Sequence, residues 1–106
     1  MNSSNDRHYS ANEISIALRS PVLFTVLEHF AIPGRGSVLF GRIDSGIIKI
    51  GTKLCPRSTP TMTLEVDAIE LNRKLREEVY FCELVGLMFL DRDLSSIKKG
   101  EVLMGD

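Results

Sequence analysis

The fold is decided by residues 34–51, which read GRGSVLFGRIDSGIIKIG. Two apolar segments, residues 37–43 and 47–54, are rich in Val, Ile, Leu and Phe and predict strands. Residues 44–46, Asp-Ser-Gly, predict a tight turn between them, because glycine adopts a positive φ at little cost. The stretch therefore predicts a β-hairpin whose second strand is interrupted at Gly51.

The segment before this stretch predicts another strand, with one face in the core. Its apolar side chains recur with the two-residue period of a strand, at Val22, Phe24, Val26, Phe30 and Ile32. Thr25 and His29 fall on the opposite face. Residues 33–36, Pro-Gly-Arg-Gly, then predict a turn, because proline lacks a donor and glycine permits positive φ.

Farther along the chain, the pattern predicts further strands joined by turns. Residues 55–62 hold two prolines and predict a loop. In residues 64–71 the apolar alternation changes parity, which predicts a β-bulge near Ala68. Residues 72–78 predict a charged connector, and the apolar run of residues 79–90 predicts a strand that is covered on both faces.

The last segment predicts a short helical turn and a closing strand. The turn lies within residues 91–99, where Asp93 is placed to cap it, and the strand covers residues 101–104. Six to eight short strands with a turn signal about every 8 to 12 residues are typical of an all-β barrel.

We expect one domain, a barrel over residues 21–106, because 106 residues with 43% apolar content suffice for a single core. Residues 1–20 predict a polar flexible tail with a short edge element. Within it, residues 13–20 fit either a short edge strand or one turn of helix.

Composition argues against several classes of function. The formal net charge of −1 gives no general attraction to nucleic acid, so any RNA contact would be local. No apolar run approaches the ~18 to 20 residues of a membrane helix. We therefore expect a cytoplasmic protein without a membrane partner.

The chain also shows no pattern of residues for metal, redox or covalent chemistry. Cys55 and Cys82 lie outside any CxxC spacing, and His8 and His29 have no second ligand at metal-binding spacing. No nucleophile, base and orienting residue can be combined into a catalytic set. We therefore predict no metal, no cofactor and no enzymatic activity.

Residues 34–51 closely resemble the GRGTVVTGRVERGIIKVG stretch of elongation factor Tu, a translational GTPase. Residues 69–75, IELNRKL, resemble its VEMFRKLL segment. Residues 85–87 and 97–103, VGL and IKKGEVL, are similar to its VGV and I.RGQVL segments. The match runs from residue 21 to residue 104, and the chain resembles the second, β-barrel domain of translational GTPases, above all elongation factor Tu.

This resemblance implies a small closed antiparallel β-barrel. In translational GTPases that domain follows a GTP-hydrolysing domain, and it helps to hold the acceptor end of aminoacyl-tRNA or contacts the small ribosomal subunit. The present chain has no GxxxxGK[ST] motif, and residues 46–53, GIIKIGTK, reverse its last two positions. We therefore predict a stand-alone binding module that contacts RNA such as tRNA, the ribosome or a translation GTPase, without GTPase activity of its own.

Four charged residues are the candidates for contacting RNA or a partner: Arg35, Arg42, Glu70 and Arg73. The resemblance places Glu70 where the family has an acidic residue against the terminal adenine of tRNA, whereas Asn72 replaces an aromatic residue. The alternative interpretation is that these charged side chains form surface ion pairs, each stabilising the fold by less than ~1 kcal/mol.

Three apolar residues, Phe40, Phe81 and Leu84, are candidates for a protein interface. The family has a threonine, a small residue and an asparagine at these positions. They suggest an alternative function, a regulatory or toxin-neutralising mimic that binds a partner of elongation factor Tu, or a second copy of the chain. Two further alternatives are that they fill the interior of a lone barrel, or that the chain completes a separate GTPase in trans.

Overall fold

The computed structural model describes residues 9–90 and 92–105, which form one helix and ten strands. In chain order the elements are α1 (Ala11–Arg19), β1 (Leu23–Ile32), β2 (Gly36–Ser45), β3 (Ile47–Lys49), β4 (Lys53–Pro56), β5 (Leu64–Glu65), β6 (Ala68–Leu71), β7 (Lys74–Arg76), β8 (Glu78–Tyr80), β9 (Leu84–Leu90) and β10 (Val102–Met104). Eight strands form one sheet, in the order β5-β4-β10-β1-β2-β9-β6-β7, and β3 pairs with β8 in a second sheet. The strand pairs are antiparallel, so the predicted all-β class is confirmed.

The large sheet curls into a half-barrel and does not close, so the prediction of a closed barrel is wrong. The two end strands, β5 and β7, do not pair, and the chain changes its pairing partners between β5 and β6. The amide of Val66 donates to the carbonyl of Thr52 beside β4 (3.0 Å), whereas the amide of Asp67 donates to Met88 on β9 (2.9 Å). Because the chain changes partners across these two residues, no continuous ladder joins the two ends of the sheet. This break also causes the parity change that was predicted as a bulge near Ala68.

The strand β1 pairs with β2, but its register shifts between Val26 and Glu28. The extra residue in β1 moves the side chains that follow it to the opposite face of the sheet. Phe30, predicted to lie in the core, is therefore 54% exposed. His29, predicted to lie on the opposite face, instead pairs with the buried Leu39.

The predicted hairpin of β2 and β3 does not form, because β2 pairs with β1 and β9 while β3 pairs with β8. Gly46 separates β2 from β3 with a φ of 82°, and its amide donates to the carbonyl of Ala17 in α1 (2.8 Å). A Cβ atom on Gly46 would lie 2.9 Å from the carbonyl oxygen of Ser20. Glycine thus lets the chain leave the large sheet at this point. The predicted third strand is split at a turn that contains Gly51 into β3 and β4, which lie in different sheets.

Residues 72–78, predicted as a connector, instead contain β7, which forms a hairpin with β6. Leu71 pairs with Lys74, which leaves a two-residue turn of Asn72 and Arg73. Their φ angles are 54° and 66°. Two consecutive residues with positive φ are characteristic of the type I′ turn, whose twist matches that of a hairpin.

The segment before β1 forms α1, which settles the choice between a strand and a turn of helix. Ser10 Oγ accepts from the amide of Glu13 (3.0 Å), and Glu13 Oε1 accepts from the amide of Ser10 (2.9 Å). This reciprocal capping box satisfies two backbone donors at the start of the helix, and the hydrogen bond from the Ser10 amide lowers the pKa of Glu13. No residue of α1 is fully buried, so the helix is a peripheral element. Residues 1–8, predicted as flexible, lie outside the described residues.

Residues 92–99 contain a turn where a short helical turn was predicted, and in it the amide of Ile97 donates to the carbonyl of Leu94 (2.9 Å). The carboxylate of Asp93 accepts from the amide of Ser95 (3.0 Å), which closes an Asx turn and lowers the pKa of Asp93. Leu94 and Ile97 extend from this segment into the core. The final strand β10 follows as predicted and pairs with β1 and β4.

The core lies on the concave side of the half-barrel. Its largest fully buried side chains are Phe24, Phe89, Leu39, Ile43, Ile48, Leu54, Leu64, Ile69, Leu87, Leu94, Leu103 and Val26. The strand β9 was predicted to be covered on both faces, but Leu84 and Leu90 at its ends are exposed. The sheet therefore has a second, solvent-facing surface that carries apolar side chains.

Candidate binding surface

The side of the large sheet that faces away from the core is called the outer face here. On β2, buried residues alternate with less buried ones, and Val38, Phe40 and Arg42 belong to the second set. Cross-strand partners share a face, which extends this set across β1, β9, β6 and β7. The outer face includes Thr25, Glu28, Phe30, Val38, Phe40, Arg42, Asp44, Ala68, Glu70, Leu75, Leu84, Gly86, Met88 and Leu90.

Phe40 and Glu70 flank Gly86 in one row across the outer face. Gly86 pairs with Phe40 on one side and with Glu70 on the other. A Cβ atom on Gly86 would lie 3.3 Å from Val38 Cγ1 and 4.0 Å from Glu70 Cβ. Glycine therefore leaves the space between the neighbouring side chains open, and two of the predicted site residues lie on either side of it on the same face of the sheet.

Beyond this row, the outer face carries exposed apolar side chains beside the charged Arg42 and Asp44. Leu84 is 48% exposed. Phe30 pairs with Val38, which precedes Phe40 by two residues on β2, and Phe30 is therefore a diagonal neighbour of Phe40. Diagonal neighbours on a sheet lie about 7 to 8 Å apart, within reach of two aromatic rings. Sequence patterning missed Phe30 as a surface residue, because an unbroken period of two assigns it to the core.

Arg42 lies on the outer face opposite Leu84, and it forms an ion pair. Its Nε atom lies 2.6 Å from Asp44 Oδ1, and Asp44 Oδ2 accepts from the hydroxyl of Thr25. For Arg42, the structure therefore shows the surface ion pair that was the alternative to contact with RNA or a partner. Half of its side chain remains exposed.

Arg35 lies at the other end of β2 from Arg42, so the structure does not bring these two candidates together. It occupies the turn between β1 and β2, where its amide donates to the carbonyl of Ile32 (2.9 Å). Seven residues of extended chain separate the two arginines, which corresponds to roughly 20 Å. A single small ligand cannot contact both.

Arg73 occupies the tip of the β6–β7 hairpin, at the end of the large sheet. Lys74 and Arg76 follow it on β7, so three cationic side chains lie on one short hairpin. The described residues show no ion pair between Arg73 and Glu70, although both lie on this hairpin. The exposed Leu75 pairs with Glu70 on the outer face, whereas Lys74 and Arg76 pair with Leu71 and Ile69 and so lie on the opposite face. The hairpin tip with Arg73 therefore borders the outer face.

Phe81 lies apart from Phe40 and Leu84, in the turn between β8 and β9. Its ring meets the ring of Tyr9 edge to face, with centroids 5.0 Å apart. Phe81 lines two adjoining clefts between α1 and the sheet, with volumes of about 790 and 420 Å³. The three predicted apolar residues thus divide between the outer face and these clefts.

Among residues 9–90 and 92–105, no group of three or more His, Cys, Asp and Glu side chains could hold a metal ion. The one helix in this part of the chain, α1, is nine residues long and too short to cross a membrane.

An all-β half-barrel with this sequence pattern defines a translation-factor-like domain, and the predicted resemblance to translational GTPases is confirmed. Translation elongation factor SelB from Methanococcus maripaludis superimposes with a TM-score of 0.73 at 26% identity, in its apo form and in complex with the GTP analogue GppNHp. The match covers 83% of this chain and 19% of SelB.

A bacterial selenocysteine-specific elongation factor, EF-Sec, superimposes with a TM-score of 0.76 over 89% of this chain. Its 20% identity supports a likeness of fold alone. The chain spans 17 to 19% of the length of these factors. No protein-family model matches the chain.

Proposed function

We propose that this chain is a translation-elongation-factor-like binding module that contacts RNA, the ribosome or a translation GTPase and has no GTPase activity of its own. The observation that carries the proposal is the arrangement of the outer face, where Phe40 and Glu70 lie on either side of Gly86 and the adjoining β6–β7 hairpin carries Arg73 at its tip. The likeness to SelB over 83% of the chain supports a role in translation.

The chemistry of this surface suits RNA. Base stacking on aromatic rings and cationic contacts with phosphate are the two main sources of affinity for single-stranded nucleic acid. Phe30 and Phe40 offer adjacent rings, and the hairpin offers cationic side chains without an overall positive charge on the chain. A local contact of this kind agrees with the net charge of −1.

The lack of GTPase activity is proposed from the sequence. The chain contains no phosphate-binding loop motif, and residues 46–53, which come nearest to one, form β3, a turn and the start of β4. Any GTP hydrolysis in which the module takes part would then belong to a separate domain or partner.

The proposal is tested by fluorescence anisotropy with labelled bulk tRNA and with purified small ribosomal subunits. We expect saturable binding of at least one of them, which weakens as salt rises. Arg73→Ala should weaken binding and reduce the salt slope by about one unit, because one phosphate contact is lost. Arg57→Ala is the matched control, since Arg57 lies in the loop after β4. If both variants lose the same affinity, the binding is nonspecific electrostatic attraction, and the proposal is wrong.

A second candidate function is a protein-interaction module. It is favoured by one observation, the exposure of Leu84 and Phe30 on the outer face. A protein partner bound there, such as a protein that recognises elongation factor Tu, should be retained at high salt. Salt-resistant binding that Leu84→Ser abolishes and Arg73→Ala leaves unchanged would support this candidate over RNA.

A further inference from the structure

The clefts between α1 and the sheet form one continuous site with an apolar end and a polar end. Tyr9, Phe81 and Cys82 line both clefts and join them. The volumes of about 790 and 420 Å³ lie in the range of small-molecule binding pockets. This site lies beside the outer face, and a ligand bound in it is independent of the proposed function.

The smaller cleft is the apolar end. Besides the three shared residues, it is lined by Ile14 and Leu18 of α1 and by Tyr80 of β8. Ile14 remains 40% exposed, and Tyr80 37% exposed, although both border the cleft. Filling the cleft with an apolar group would remove this surface from water, which is the main source of affinity in such pockets.

The larger cleft is the polar end, and it presents charges of both signs. The guanidinium of Arg42 donates from Nε to Asp44 Oδ1 (2.6 Å), and among the described residues its two terminal nitrogens have no hydrogen-bond acceptor. A planar guanidinium with free terminal donors binds a carboxylate through two hydrogen bonds. The carboxylates of Asp44 and Glu13 line the same cleft and can accept from an ammonium group.

We propose that this site binds an α-amino acid with a large apolar side chain. Arg42 holds the ligand's carboxylate, Asp44 and Glu13 accept from its ammonium group, and its side chain enters the cleft beside Phe81. The charges explain the choice of ligand, because a fatty acid would use only the guanidinium and an amine only the two carboxylates, whereas an α-amino acid uses both.

The test is a titration of the ¹⁵N-labelled protein with L-phenylalanine, followed by two-dimensional NMR. We expect saturable shifts of the amides of Ala17, Phe81 and Cys82, with a dissociation constant on the order of 1 mM for a ligand of this size. Glycine, which lacks the apolar group, should not saturate these shifts. L-phenylalaninamide and N-acetyl-L-phenylalanine should each bind at least ~10-fold more weakly, because each lacks one charged group.

Two variants and a control complete the test. Arg42→Gln and Phe81→Ala should each weaken binding at least ~10-fold, whereas Arg35→Gln at the far end of β2 should leave it unchanged. Leu18→Ala replaces Phe81→Ala if the latter loses the dispersed spectrum of the folded protein. Shifts that do not saturate, equal binding of glycine, or equal loss with Arg35→Gln would overturn the proposal. Undiminished binding of the N-acetyl derivative would also overturn it, and would point instead to the C-terminal residue of a polypeptide.

Discussion

The ring of Phe24 packs directly against the backbone of Gly41. A Cβ atom on Gly41 would lie 2.7 Å from Phe24 Cζ and 2.1 Å from the carbonyl oxygen of Thr25. Both distances are far below van der Waals contact, and the carbonyl belongs to the backbone of β1, which pairs with β2 at this point. Gly41 is therefore required by close approach rather than by an unusual backbone angle.

We predict that Gly41→Ala destabilises the fold by at least about 3 kcal/mol, because either β1 or the Phe24 ring must move. Gly86→Ala is the matched control on the neighbouring strand, where the new methyl would lie 3.3 Å from the Val38 side chain and at ordinary contact distance, 3.9 Å or more, from Glu70. Urea denaturation of the two variants measures the difference. Equal destabilisation by both would show that the Phe24–Gly41 contact is not the cause.

The hairpin turn offers a stabilising substitution. Arg73 has a φ of 66°, a conformation that costs a residue with a Cβ atom about 1 to 2 kcal/mol and glycine almost nothing. Arg73→Gly should therefore raise the free energy of unfolding by about 1 kcal/mol in thermal or urea denaturation. Asn72→Gly should gain less, because asparagine tolerates positive φ. A lower stability for Arg73→Gly would mean that its side chain stabilises the hairpin.

The carboxylate of Glu101 predicts a loss of stability in acid. It accepts from the Ser58 hydroxyl and from the amides of Ser58 and Val102, and the bond from the hydroxyl is the main cause of its lowered pKa. A pKa below the ordinary value of 4.5 means that the folded state favours the charged form. This stabilisation is present above pH 4.5 and is lost as the pH falls through the folded-state pKa.

Glu101→Gln should therefore flatten the dependence of unfolding free energy on pH below 4.5, measured by urea denaturation at several pH values. Glu65→Gln serves as the control, since Glu65 is exposed on the edge strand β5. If both variants keep the slope of the parent protein, the Ser58–Glu101 contact does not contribute to acid sensitivity.

The capping box predicts a local effect. Ser10→Ala removes the acceptor for the Glu13 amide and should destabilise α1 by about 1 kcal/mol. Because α1 has no fully buried residue, the half-barrel should keep its stability while the helix opens more often. Hydrogen exchange should show faster exchange at the Ile14 and Gly46 amides, which donate to Ser10 and Ala17. Ser15→Ala, within the same helix, is the control and should leave the Gly46 amide protected.

The sequence predicted correctly those turns and strands that are marked by neighbouring residues. The turn at residues 33–36, the strand that follows it and the closing strand lie where glycine placement and apolar alternation put them. The resemblance carried by residues 34–51 also identified the translation-factor-like fold. In the candidate site, Phe40 and Glu70 were selected by comparison with that family, and they lie on the same face of the sheet.

What the sequence by itself determined about this protein is therefore its class, because residue periods and turn residues act within a few positions of the chain. Only the tertiary structure decided that the sheet stays open at Val66 and that Phe30 faces solvent. The first depends on which strand lies beside which, and the second on a one-residue shift of register that moves the side chains after it to the opposite face. Pairing between distant strands is a property of the whole fold, and no short stretch of sequence encodes it.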